Sequence, residues 1–170
     1  MPPTDRSTPP LNADEGTTLA SWLDFYRATL AGKCDGLDEA QLRTASVPPS
    51  SLTLLGLVQH MAEVERNWFR RVLTGEAVPP LYESRTTPEG HDGGFDLTDD
   101  VTFDVAHADW QREITRARAN CADRDPSRTS PFMAGQVTLR WIYAHMIAEY
   151  ARHNGHADLI RERIDGRTGV

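Results

Sequence analysis

Glu149 and His153, two side chains with metal-ligand chemistry, stand four residues apart on a stretch from 139 to 166 that reads as one long helix. At about 100° per residue, Leu139, Ile142, Met146, Tyr150, Ala157, Ile160 and Ile164 fall on a single apolar stripe. His153 lies inside that stripe and Glu149 on its flank, so an imidazole and a carboxylate project the same way from a surface that should be buried. Burying both is costly unless each is paired, hydrogen-bonded or bound to a cation. His145, one turn before Glu149, and His156, one turn after His153, sit about 100° from the stripe centre. They read as rim residues, and Arg152 joins them as a candidate for the surroundings of the pair.

A metal site needs a third ligand. His60 is the best placed, on a second long helix from Thr53 to Leu73 carried by Leu54, Leu57, Val58, Met61, Val64, Trp68 and Val72. It lies about 80–90° from that stripe's centre, an edge position comparable to that of Glu149. Two histidines and a glutamate leave one coordination position open, the arrangement of a catalytic zinc as opposed to a closed structural one. Spacing alone does not separate this from a simpler arrangement, in which Glu149 and His153 form a half-buried hydrogen bond and His60 is uninvolved. His107 lies on the stripe of a third helix without a ligand-type neighbour one turn away. It reads as a hydrogen-bonded core histidine and stands as a further pocket candidate. His91, in a polar loop, reads as exposed. The chain has no His-Glu-x-x-His, no phosphate-binding glycine loop and no Gly-x-Ser-x-Gly elbow.

The elements that must position these residues follow from caps and periodicity. Residues 1–12, with four prolines, read as a disordered tail, and 13–170 as one domain. Asn12 with Glu15 resembles a capping box for a first helix carried by Leu19, Trp22, Leu23, Tyr26, Leu30 and Cys34. Asp38 with Gln41 starts a short helical turn of the same kind. Gly75 to Asp100, rich in Pro and Gly, is a long connection of the sort that is functional or a crossover. Asp99 or Asp100 is the expected cap of the third helix, with Phe103, Ala106, Trp110, Ile114, Ala117 and Cys121 on its stripe. Asp125 to Gly135 is expected to be a linker and Thr138 the last cap. No strand pattern is evident, so the fold expected is all-α, a four-helix bundle with long connections.

Composition narrows the partners. The 170 residues carry 18 basic and 25 acidic side chains, a formal charge of -7, and Lys33 is the only lysine. That balance argues against nucleic acid. Arg161 and Arg163 alternate with Glu162 and Asp165 in the pattern of a solvated helix face. A mean hydropathy of -0.52, no apolar run long enough for a membrane span and no signal-peptide order lead to a cytoplasmic expectation, with no membrane partner. Cys34 and Cys121 fall on helical stripes and read as small buried hydrophobes.

The segment EYARHNGHAD (149–158), with LRW (139–141) before it and IDG (164–166) after it, resembles the closing helix of DinB-like proteins. More narrowly it is similar to the actinobacterial branch related to mycothiol-dependent maleylpyruvate isomerase. LLGLVQHMAEVERNWF (54–69) is similar to the second helix of the same group, so the resemblance covers most of the chain after residue 14. It implies a bundle that binds a divalent metal through His60, Glu149 and His153. Many DinB-like proteins have histidine where Glu149 stands, and the isomerase branch has glutamate. Zinc is the metal implied first, with nickel, iron and manganese as alternatives. The implied activity is that of a transferase or isomerase using a low-molecular-weight thiol such as mycothiol on a small electrophile. The alternative is a non-catalytic metal- or ligand-binding stress-response bundle. A homodimer is the expected assembly.

Overall fold

The computed structural model describes residues 6–82 and 93–169. The chain is mostly helical: α1 (Glu15–Cys34), α2 (Glu39–Leu42), α3 (Leu54–Arg66), α4 (Phe103–Cys121) and α5 (Leu139–Asp165), with a hairpin of β1 (Thr129–Phe132) and β2 (Gly135–Thr138) between the last two. His91 lies outside the described residues. Of the expected N-terminal tail, residues 6–12 are described; Pro9 is buried, and the Arg6 guanidinium lies 5.2 Å from the centroid of the Phe25 ring.

Each start is set by a short polar side chain accepting a backbone N–H that the helix leaves unpaired. At α2, Asp38 and Gln41 form the reciprocal capping box, and Thr138 accepts from Trp141 N at α5. Thr53 serves α3. Two caps differ from the sequence expectation. At α1 the cap is Asp14, which accepts from Thr17 N at 2.9 Å, because Glu15 is drawn away to pair with Arg140 of α5. At α4 the cap is Thr102, and Glu39 accepts the next exposed donor, Phe103 N. The last helix stops at Gly166, whose φ of 79° is the left-handed conformation that glycine adopts most readily.

The hairpin corrects the expectation of a strandless linker. Thr129, Ser130, Pro131 and Phe132 pair antiparallel with Thr138, Val137, Gln136 and Gly135. The two-residue connection needs positive φ, which Met133 adopts at 50°. Only Ser130 and Val137, which face each other in register, are buried. Each strand is thus too short and too exposed to show apolar alternation.

α1 lies along α5 and α3 along α4, with α3 also touching α5. The stripe residues Leu139, Ile142, Met146, Tyr150, Ala157 and Ile160 are all buried, as are Leu57, Val58 and Met61 of α3 and Trp110 and Ile114 of α4. After Arg66, α3 widens into a π-helical segment from Asn67 to Val72. Side chains from outside reach carbonyls here: Asn120 Nδ2 donates to Phe69 O within the segment at 2.9 Å, and Ser130 Oγ to Leu73 O just past its end at 2.8 Å. Such segments recur at functional sites.

Arg161 also corrects its sequence reading. It is buried, and its guanidinium donates to the carbonyls of Lys33 and Asp35 at the end of α1 and to Asp165. Five N–H donors suit it to the unpaired carbonyls of a helix terminus. Arg163 is exposed.

Two further buried charges hold the helices together. Glu65, fully buried, accepts from Arg27 Nε at 2.8 Å and Nη2 at 2.7 Å, and from Tyr150 OH at 2.7 Å. Trp110 Nε1 donates in turn to Tyr150 OH at 2.7 Å, so one chain of hydrogen bonds joins α1, α3, α4 and α5. Nearby, buried Glu113 accepts from Arg66 and Arg70.

Candidate metal centre

The register of α3 against α5 brings His60, Glu149 and His153 together. One ligand atom from each lies within 4.8 Å of the others, and Glu149 Oε2 is 3.4 Å from His153 Nε2. Atoms bound to one zinc at about 2.1 Å can be no more than about 4.2 Å apart. The carboxylate and imidazole already satisfy that limit, and small side-chain rotations bring in the third group.

The surroundings set the ring tautomers. His60 Nδ1 donates to Gly93 O at 2.6 Å, which puts the lone pair on Nε2, the pattern of a metal-ligating histidine held from behind by a carbonyl. His153 Nδ1 is 3.3 Å from His156 Nδ1; with His153 as donor there, its Nε2 likewise carries the lone pair. Burial, followed by the neighbouring His60, His156 and Arg152, pushes His153 down to about 3. It is therefore uncharged at neutral pH, as a ligand must be.

The other sequence candidates fall into two groups. Arg152 Nη2 pairs with Glu149 Oε1 at 3.3 Å, whereas His145 Nε2, 3.9 Å from the same oxygen, is beyond hydrogen-bond reach, and burial lowers its pKa. His156 attends His153. His107 does not join them: on α4 its ring packs against Phe103 and Trp110, and burial lowers its pKa. Among the described residues no fourth His, Cys, Asp or Glu completes the group. The cysteines are both free thiols; Cys34 is buried and Cys121 half-buried.

The sequence reading missed the segment that lies over His60. Phe95 stacks on the imidazole with centroids 4.1 Å apart and planes 16° from parallel. Gly93 and Gly94, at φ 75° and 86°, let this segment approach α3 closely. A Cβ on Gly93 would come to 3.1 Å from His60 Nδ1, and one on Gly94 to 3.2 Å from Gln59 O. The signal was the Gly-Gly pair followed by an aromatic residue within the long connection.

The depressed pKa of His153 has a consequence for the metal-free protein. Between about pH 3 and the ordinary value of 6.5, the unfolded chain binds a proton at this site that the native state does not, so stability falls as pH is lowered through that window. Relative to His153→Gln, the metal-free wild type should lose about 2 kcal/mol on going from about pH 7.5 to about pH 5. Urea titrations at the two pH values measure it. Equal losses in both proteins would show that the imidazole is not the cause.

The sequence model of the family described as Mycothiol-S-transferase matches residues 18–166. No curated protein sequence matches the chain. No helix among the described residues is long and apolar enough to cross a membrane.

Proposed function

The chain belongs to the mycothiol-S-transferase family, a DinB-like family, and from that premise we infer that it is a metal-dependent thiol transferase built on a four-helix bundle. His60, Glu149 and His153 hold the divalent metal, zinc first among the candidates. The observation that carries this reading is the convergence of their ligand atoms to within 4.8 Å of one another. The donor set fits: His60 with its lone pair on Nε2, His153 able to present its own there by donating from Nδ1 to His156, and one carboxylate, with no fourth protein ligand among the described residues.

Each residue has a task. The Gly93 carbonyl and the Phe95 ring fix the plane of His60, and Phe95 keeps water from one face of it. Glu149 supplies the negative charge, and Arg152 restrains it from outside. A divalent metal held there would lower the pKa of a bound thiol and so supply a nucleophile at neutral pH. The chain's own thiols do not offer one. Burial pushes Cys34 up to about 12 and raises Cys121 as well, and neither belongs to the ligand group. A small electrophile is the partner substrate.

Cobalt(II) substitution tests the proposal. Adding mycothiol, or cysteine as a simpler thiol, should produce a sulfur-to-cobalt charge-transfer band, and the same addition to His153→Ala should produce none. No band over a wide range of thiol concentrations would leave a metal-binding protein without thiol chemistry.

A further inference from the structure

Trp141, His145, Glu149 and His153 recur every four residues along α5. Each such step advances about 6 Å and turns about 40°, so the four form a row that winds about 120° around the helix from Trp141 to His153, with Trp141 about 12 Å along the axis from Glu149. The facing wall repeats the order: His60 of α3, itself one of the candidate ligands, stands opposite Glu149 and His153, and Trp68, two turns on in the π-helical continuation of α3, lies beside Trp141. Both walls therefore run from ligand chemistry at one end to an indole at the other.

The indole end is an aromatic cluster. His145 stacks flat on Trp141, with centroids 5.0 Å apart and planes 7° from parallel. Trp68 lies 4.6 Å from His145, 5.2 Å from Trp141 and 5.2 Å from Phe132 of β1. The cluster is not sealed: Trp141 is 48% exposed and Met133, next to Phe132 at the hairpin tip, is 91% exposed. A single exposed apolar residue needs no explanation; here the exposed Trp141 is joined to the half-buried Trp68 and Phe132, an apolar surface of the kind that ligands use. Indole faces take flat, conjugated rings by offset stacking; His145 covers one side of Trp141, so such a ring seats on the exposed remainder of the cluster and reaches toward Glu149, about 12 Å along α5.

Building on the thiol-transferase reading, we propose that the seam between α3 and α5 binds the electrophilic substrate through a planar aromatic group seated on Trp68 and Trp141, with its reactive end toward Glu149 and His153. The site thereby selects aryl or extended conjugated substrates over small aliphatic ones. A second copy of the chain is the competing occupant of Trp141, and the experiment separates the two.

The probe is 1,3-dinitrobenzene, which is planar, uncharged and without a good leaving group, so it binds without reacting. The indole N–H signals of the four tryptophans, assigned by single Trp→Phe variants, are followed by NMR on the full-length protein. Trp68 and Trp141 should shift and saturate, while Trp110, buried against Tyr150, and Trp22, exposed on α1, stay in place. Trp141→Ala and Trp141→Leu should each weaken binding about tenfold; the exposure of Trp141 lets both variants fold, and leucine keeps apolar bulk while removing the flat face. Comparable shifts at Trp22, no saturation up to the solubility limit, or unchanged affinity in both variants would overturn the proposal. So would a dimer, measured by sedimentation, that Trp141→Ala dissociates and dinitrobenzene does not compete with. Metal-free His153→Ala retains the aromatic cluster and should still bind the probe, so loss of the cobalt–thiol band and loss of aryl binding are separate results.

Discussion

Glu65→Ala will destabilise the protein more than any other single truncation of a polar side chain. It leaves the Arg27 guanidinium buried with only the half-exposed Asp24 as its carboxylate partner and Tyr150 OH without its acceptor. Removing one partner of a buried ion pair costs about 3–5 kcal/mol, a large share of a typical total of about 5–15 kcal/mol. For a chain of this size that corresponds to a fall in Tm of about 6–20 °C. Replacing both partners, Arg27→Met with Glu65→Leu, removes the stranded charge and should recover most of the loss. Calorimetry on the two single variants and the double variant decides it. A single-variant loss below about 1 kcal/mol would mean the pair is no more than a surface contact. The network also bears on the site, since Tyr150 follows Glu149 directly and Glu65 lies beyond His60 on the same helix. Their hydrogen bond ties α3 to α5 at the level where the candidate ligands meet.

The second large effect concerns metal. His60→Ala and His153→Ala should each lower metal affinity by more than the roughly 10–100-fold typical of losing an outer partner of a ligand, with little change in helix content. His107→Ala, on α4 where the ring stacks on Phe103 and meets Trp110 edge-on, should leave metal content as it is. Mass-spectrometric metal analysis beside far-UV circular dichroism reads both. Full occupancy in the His60 and His153 variants would remove these residues from the ligand set.

Helix-face arithmetic was enough for the parts of the chain where one face is apolar throughout. The α5 stripe from Leu139 to Ile160 is buried as its 100° spacing requires, His153 with it, and the caps Asp38 and Thr138 stand where their side chains indicate. His60 was legible as an edge position because Leu57 and Val64 flank it. Arg27, Glu65, Glu113 and Arg161 were not legible. A buried charge and a solvated one look alike in a single sequence when the partner is on another helix, as Glu65 is for Arg27. The exposed hairpin gave no alternation to read. The cover over His60 depends on the positive φ of Gly93 and Gly94 and on how the long connection folds back, which local spacing does not specify. The aromatic cluster was hidden for a related reason: Trp68 and Trp141 each read as ordinary residues of their own helices, and only the packing of α3 beside α5 makes them neighbours.

X-ray absorption at the zinc edge tests the central claim most directly, because it counts and identifies the atoms around the metal. The zinc-loaded protein should show only nitrogen and oxygen neighbours at about 2.0–2.2 Å. Adding mycothiol should bring in one sulfur at about 2.3 Å while the two imidazole signatures remain. A shell that already contains four protein ligands and gains no sulfur would contradict the account.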